Sequence, residues 1–483
     1  MLRKYIRLAE IVVSLLFLQL TQAADRPNIV FLLVDDLGWG DFECYGSQFH
    51  ETPHIDRLAS EGMLFKEAYA ACTVCSPSRA AILSGRYPAR LHLTDWIPGH
   101  DFQYAKLSPP DWKMKIDHQR ILLPEALKKA DYATAFIGKW HLMPKGQSDF
   151  DQHYPTSHGF DVNVGGREWG SPKGTGRYFA PFDMINMQEG QNGEFLTDVL
   201  TDSALDFLDT TPKQNPFLLY LAYYSLHHPV MAPPELVHKY ARKAETFDNQ
   251  NNEEINPARA GMVETGMVER LDQSVGRIMA KLKQLGLTEN TIIILTGDNG
   301  GDFAGTSGGL RGHKAYPYEG GTRVPLIVKW TDRIQAGATS EAPVIGTDFY
   351  PTLLEMAELP QRPEEHLDGI SFWPVLSGKT MELDRKNLYW HFPHNHRTKP
   401  YGAIRQGNWK LIEFFEDRRL ELYNLKTDSD ESKNLAKSHP ELTRELLAQM
   451  KTWRRAVNAQ MPSRNPNHDP EYSHLRNKKK PKK

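Results

Sequence analysis

NIVFLLVDD, residues 28–36, is an almost unbroken apolar run that ends on two aspartates. It shows no alternation of polar and apolar positions, so it reads as a strand buried on both faces, as strands are inside a parallel sheet. YATAFIG (132–138), PFLLYLAYYS (216–225) and TIIILTG (291–297) repeat the pattern. Helix-like segments lie between them: HIDRLASEG, LPEALKKA, FLTDVLTDSALDFLDT and MVERLDQSVGRIMAKLKQLG. The alternation predicts an α/β fold with a large mixed, mostly parallel sheet sandwiched by helices.

Each apolar run leads into chemically capable side chains. The first ends at Asp35 and Asp36, the second at Lys139 and His141, the third at His227 and His228, the fourth at Asp298 and Asn299. Turn propensity accounts for any one such ending. In open parallel sheets, however, ligands bind beyond the carboxyl ends of the strands, so four endings of this kind predict one shared pocket. Asp35, Asp36, Asp298 and Asn299 supply only oxygen donors, which suits a hard cation such as Ca²⁺; Mg²⁺ stays open because geometry is invisible in sequence.

The chain has 483 residues and a formal net charge of -2, so bulk charge points to no nucleic acid and partners must be read from local sites. Arg3, Lys4 and Arg7 precede the apolar stretch IVVSLLFLQL and small residues at Thr21, Ala23 and Ala24. This reads as a signal peptide over 1–23, with an uncleaved anchor as the alternative. It implies a periplasmic or secreted protein with no stable membrane insertion after cleavage. Cys44, Cys72 and Cys75 are the three cysteines, so at least one is left unpaired. Cys75 precedes Ser76 and Pro77, which read as the N-cap and first residue of a helix through SRAAILSG. There the helix dipole favours an anion, and Arg79 adds a fixed positive charge.

CSPSR followed by AAILSGRYPAR resembles the signature of the type I, formylglycine-dependent sulfatases of the alkaline phosphatase superfamily. DDLGWGD, TPHIDRLASEG, GKWHL, HHP, GDNGG and YEGGTRVP follow in the family's order, so the resemblance runs from about Pro27 to about Ala436. It implies that Cys75 is oxidised to formylglycine (3-oxoalanine) by a maturation enzyme. In the family, one hydroxyl of the hydrated aldehyde attacks sulfur and the alcohol leaves; the second hydroxyl then loses its proton and expels sulfate. The resemblance also implies one Ca²⁺ on Asp35, Asp36, Asp298, Asn299 and residue 75. Arg79 and Lys139 then orient the formylglycine, His141 assists proton removal, and His227 and Lys314 hold the sulfate and protonate the leaving oxygen. The chain departs from the common pattern at His313, before Lys314, and at Met143; His313 either lines the pocket or faces solvent.

YGAIRQGNWKLIEFF, RLELYNLKTD and PELTRELLAQMKTWRRAV predict antiparallel strands and a helix. The expected domains are therefore a catalytic domain over 24–373, a C-terminal antiparallel-sheet subdomain over 374–460 and a basic, disordered tail over 461–483. YWHFPHNHRTKPY lacks acidic or cysteine partners for a metal, so His391 and His394 are expected to face substrate, with an ordinary packed loop as the alternative. Arg311, beside His313, joins the expected substrate contacts. The Gly-, Pro- and aromatic-rich loops 92–112 and 164–182 are expected to set specificity. With the export signal they point to hydrolysis of sulfate monoesters on a sulfated saccharide or polysaccharide. Two alternatives are a phosphatase or phosphodiesterase of the same superfamily, which normally has serine or threonine in place of Cys75, and a non-catalytic binder of sulfated glycans, which loses catalytic positions.

Overall fold

The computed structural model describes residues 26–146, 152–182, 184, 187, 190–212, 214–247, 261–303 and 305–477. The expected signal peptide lies outside them. Asn28–Val34 is a strand buried along its whole length. Ile29, Phe31 and Leu33 point into one apolar cluster, Val30, Leu32 and Val34 into another on the opposite face, which is why the run carries no alternation.

This strand sits inside a sheet ordered Val344–Ile345, Met63–Tyr69, Arg323–Lys329, Thr291–Gly297, Asn28–Val34, Phe217–Ala222, Ala133–Gly138 and Val162–Val164, with Ala338–Ser340 also pairing with Met63–Tyr69. Arg323–Lys329 runs antiparallel to both its neighbours and every other pairing is parallel. The four runs read from the sequence are therefore contiguous, with their carboxyl ends on one edge. Their mutual pairing puts the four polar endings within reach of each other.

A separate antiparallel sheet holds Asn387–Phe392, Tyr401–Gln406, Trp409–Phe414 and Leu420–Asn424 in that order. Leu446 and Met450 of helix Pro440–Ala456 cover one face through Ile404, Leu411 and Leu422. The other face packs Trp390, Phe392 and Tyr401 on Tyr69, Cys72 and Val74 of the catalytic domain. Trp390 donates to the Ala70 carbonyl at 2.9 Å, and the Thr73 and Tyr401 hydroxyls lie 2.8 Å apart. The small sheet thus braces the segment that leads into Cys75. Lys410, fully buried between Glu319 at 2.8 Å and Glu431 at 3.0 Å, adds a charged tie across the same junction.

Two expected boundaries move. Val375 and Leu376 belong to the catalytic core, so the subdomain's own fold begins near its first strand at Asn387 rather than at 374. The tail expected to be disordered from 461 is built into the fold: Ser463–Arg464 pairs with Leu107–Ser108, and buried Asn465 donates to the carbonyls of Gln103 at 2.9 Å and Ala105 at 2.7 Å. The basic composition behind that expectation is concentrated in 476–483, of which only 476 and 477 are described.

Candidate active site

Cys75 opens helix Cys75–Ser84, all ten residues of which are buried. The helix starts two residues earlier than Ser76 as N-cap predicts, with Val74 in the cap position. The Ser76 hydroxyl is occupied elsewhere, accepting from the Ile97 N–H at 3.1 Å. Ser78 closes the turn instead, its hydroxyl bonding both the N–H and the carbonyl of Cys72.

Around Cys75 the strand ends interlock. Lys139 Nζ donates to Asp35 Oδ2 at 2.5 Å, and neither side chain is exposed at all. Arg79 donates to Asp298 Oδ2 at 2.7 Å and to the Lys139 carbonyl at 2.6 Å, and its Nη2 lies 3.8 Å from Asp35 Oδ1. Lys314 Nζ donates to Asp36 Oδ2 at 2.7 Å, and Asn299 Nδ2 to Asp36 Oδ1 at 2.8 Å. His227 Nε2 stands 3.9 Å from Asp36 Oδ2. The side chains of His227, 20% exposed, and Lys314, 10% exposed, mark the open side of the cluster.

Close backbone approach makes this density possible. Gly138 turns the chain from its strand into Lys139 with φ 103°, and a Cβ there would lie 1.9 Å from the Ala222 carbonyl oxygen. A Cβ on Gly300 would lie 2.0 Å from the Gly320 carbonyl oxygen, so the loops of GDNGG and YEGG pack backbone on backbone.

Burial sets the protonation tendencies and neighbouring charges modify them. Burial raises Asp298 to about 6, and the Asp35 charge adds to this. Asp35 is raised by burial against the pull of Lys139. Burial acts the same way on Asp36, but Lys314 and His227 outweigh it and hold its carboxyl low. Burial also raises the Cys75 thiol to about 12, so the unconverted residue is a protonated thiol and no thiolate nucleophile. His141 is pushed well below the usual imidazole range, by burial first and then by Lys139.

Donor atoms of Asp35, Asp36 and Cys75 lie within 4.8 Å of one another. Asp35 Oδ1 and Asn299 Oδ1, both buried, have no hydrogen-bond partner. Buried carboxylate and amide oxygens left without partners are costly unless a cation takes them up, so the donor set fits the oxygen-ligated metal expected from the sequence.

Other sequence-predicted residues fall elsewhere. His391 lies within a strand, buried, with Nε2 on the Gln460 carbonyl at 2.8 Å; His394 is buried on the Thr94 hydroxyl at 2.8 Å. Both side chains are packed inside the protein. Burial keeps both imidazoles at about 3. Arg311 stacks 3.8 Å from the Tyr318 ring centroid and donates to the Tyr423 hydroxyl and the Glu431 carbonyl, so its donors serve the C-terminal subdomain. His313 Nδ1 lies 3.0 Å from Arg397 Nη1. The sequence reading took in Trp96, His100 and Gly170 only as members of the loops 92–112 and 164–182, and His396 only as a member of its histidine-rich segment; it overlooked Asp302. Asp302 pairs with His228 at 2.8 Å and with Arg397, and sits three residues past Asn299, which is the signal that marked it. Gly170 lies against His141, whose Nε2 is 2.5 Å from the Ile97 carbonyl oxygen.

The sulfatase family model matches residues 27–359, more than half of the chain, and the model for the C-terminal region of N-sulphoglucosamine sulphohydrolase matches residues 312–456. The chain belongs to the sulfatase family. N-acetylgalactosamine-6-sulfatase of Mus musculus is 34% identical over 79% of this chain and 72% of its own length. N-acetylgalactosamine-6-O-sulfatase of Bacteroides thetaiotaomicron is 29% identical over 88% and 92%. Among solved structures, Ps i-CgsB in complex with k-i-k-neocarrahexaose aligns with a TM-score of 0.72 at 27% identity, covering 92% of this chain and 96% of that one. This sulfatase is thus a hydrolase of sulfuric esters, of the type I group in the alkaline phosphatase superfamily. Family membership implies formylglycine and a metal, and Asp35, Asp36 and Cys75 form a metal-capable cluster in the sulfatase.

Proposed function

We propose that this sulfatase removes sulfate from a saccharide, using formylglycine made from Cys75 and a Ca²⁺ ion. The observation that carries the reading is the convergence of Asp35, Asp36, Asp298, Asn299, Arg79, Lys139 and Lys314 on the start of the Cys75 helix. A hard cation held by Asp35, Asp36, Asp298 and Asn299 with residue 75 would polarise the sulfate oxygens, and the hydrated aldehyde would supply the nucleophile.

The chain's own residues do the rest. Arg79 and Lys139 fix Asp35 and Asp298 and offset their charge, so the oxygen donors stay in place. His141 places its Nε2–H on the Ile97 carbonyl, which leaves Nδ1, buried and without a partner, as the lone-pair nitrogen that takes the proton from residue 75. His227 donates its Nδ1–H to the His228 carbonyl at 2.8 Å, so Nε2 is the atom turned toward Asp36 and the open side. With Lys314 it grips the sulfate and serves the leaving oxygen.

A saccharide is favoured by what lies outside that opening. The His100 ring centroid is 4.7 Å from Trp96 and 4.8 Å from His396, and Trp96 is 6.3 Å from His141. These rings lead into a cleft of about 710 Å³ lined by His100, Asp101, Tyr104, Asn465 and Asp469, whose mixture of flat and polar side chains suits sugar rings. His396, rather than His391 or His394, is the imidazole of its segment that faces this route. The names of the mammalian and Bacteroides relatives point the same way. Among the described residues no helix is long and apolar enough to cross a membrane. The export signal read at 1–23 supports a periplasmic or secreted enzyme, and conversion of Cys75 calls for a maturation enzyme as partner.

A panel of defined sulfated saccharides, assayed for inorganic sulfate, tests the reading. Release from at least one member by protein whose residue 75 is converted supports it. Converted protein that hydrolyses only phosphate esters or only non-carbohydrate sulfates overturns it.

A further inference from the structure

Away from Cys75, Asp41, His50 and Glu264 form a second group whose donor atoms all lie within 4.8 Å of one another. Their exposures are 0%, 5% and 1%. Asp41 Oδ1, His50 Nε2 and both Glu264 carboxylate oxygens have no hydrogen-bond partner. The remaining atoms are spoken for: Asp41 Oδ2 accepts from the Gly38 N–H at 2.6 Å, and His50 Nδ1 bonds the Ser47 hydroxyl at 2.7 Å. Only the four partnerless atoms remain available to a ligand. A fully buried pair of carboxylates next to an unsatisfied imidazole nitrogen costs several kcal/mol unless something positive or hydrogen-bonding fills the space. Lys243, a basic side chain that acts on His50 electrostatically, is paired with Glu51 at 2.7 Å.

We propose that Asp41, His50 and Glu264 bind a second divalent cation, a transition ion of the zinc type, that braces the loop after the catalytic aspartates. The donor set separates this site from the first. One imidazole nitrogen and two carboxylates suit a borderline ion, whereas calcium and magnesium prefer oxygen throughout. The spacing agrees. A tetrahedral ion with bonds of about 2.0–2.2 Å holds its donors about 3.3–3.6 Å apart, and His50 Nε2 stands 3.6 Å from Glu264 Oε2. The hydroxyl of Ser47 on His50 Nδ1 fixes the ring so that Nε2 faces inward, as outer partners do for histidine ligands. Burial holds the Glu264 carboxyl at about 8 and drives Asp41 upward, the condition of carboxyls that lack a counter-charge. The ion would join residues 38–50, which follow Asp35 and Asp36 directly, to the first turn of helix Met262–Gln284.

The test uses the full-length protein, purified with Ca²⁺ present throughout so that the first site stays loaded, and measures bound metals by mass spectrometry. About one equivalent of a transition ion per chain is expected, falling at least tenfold in Glu264→Gln while bound calcium is unchanged. An anomalous difference peak between His50 Nε2 and Glu264 in crystals of the wild-type protein is expected as well. Should Glu264→Gln fail to fold, the wild-type metal content and the anomalous map still decide. Less than a tenth of an equivalent, with no rise in Tm when ZnCl₂ is added, overturns the proposal. So does a water without anomalous signal at the position, or a metal content that Glu264→Gln and Asp41→Asn leave unchanged.

Discussion

Gly170→Ala is the sharpest probe of His141, because it adds one methyl group and removes nothing. Gly170 is not in the left-handed region, so alanine suits its backbone and the effect is confined to the new Cβ. That atom would sit 2.6 Å from Cε1, 2.8 Å from Nε2 and 3.1 Å from Nδ1 of His141. Carbon contacts prefer about 3.5–4.0 Å, so the ring must retreat by roughly 1 Å. It has little room, being 1% exposed and tied to the Ile97 carbonyl at 2.5 Å. Overpacking of this kind costs about 1–3 kcal/mol of stability, and a displacement of about 1 Å in a reacting group costs about 100-fold in rate. We expect kcat on the saccharide found by screening to fall about 100-fold. KM should change little, because His227 and Lys314 are untouched. Steady-state kinetics with a parallel Tm measurement reads both quantities. A variant whose Tm falls, showing that the clash is felt, while kcat stays within about twofold, would refute the role given to His141.

Peptide mass spectrometry on protein from its native host should find residue 75 as the aldehyde; active enzyme with an unmodified thiol sinks the mechanism. Cys75→Ser should keep fold and metal yet fail at multiple turnover, since a serine ester has no second hydroxyl to expel sulfate; undiminished sulfate release would contradict this. Chelating the proposed Ca²⁺ would leave Asp35, Asp36 and Asp298 buried together without that ion, so Tm should drop and recover on adding Ca²⁺ at about 100 times Kd, a stabilisation of about 2.7 kcal/mol; a Tm indifferent to the ion argues against that site. Burial pushes His391 and His394 down to about 3, far below the free imidazole. A depressed imidazole gives stability that is present above about pH 6.5 and is lost as pH falls toward 3, about 2 kcal/mol for each histidine between pH 6.5 and 5. Chemical denaturation across that range should show the loss, and His394→Gln should lessen it; an unchanged slope would show that His394 is not held neutral.

The sheet was legible because its four central strands are buried on both faces and so read as continuous apolar runs. Met63–Tyr69 and Arg323–Lys329 were harder to see, since their runs are interrupted by Lys66 and Glu67 and by Pro325. The metal-capable oxygens and the cations around them were readable because each follows a strand or sits in a dense motif. What sequence could not supply was the direction of side chains in the C-terminal subdomain. His391 alternates with Trp390 along a strand, and nothing local distinguishes a histidine packed under Gln460 from one facing solvent. Asp41, His50 and Glu264 were invisible for another reason: two stand near each other in the chain, the third lies more than two hundred residues on, and only the packing of helix Met262–Gln284 unites them.

The last described stretch of the chain forms one wall of the cleft proposed for the saccharide, through Asn465 and Asp469, and clamps the 103–105 backbone opposite. Trimming the protein at residue 460, as one does to discard a charged end before crystallisation, would take that wall away and leave the catalytic sheet whole. The cleft thus draws its walls from two distant stretches, 100–109 and 465–469, neither of which carries a residue of the cluster around Cys75. A swapped terminal segment should be able to retune selectivity among glycans without a single change near Cys75.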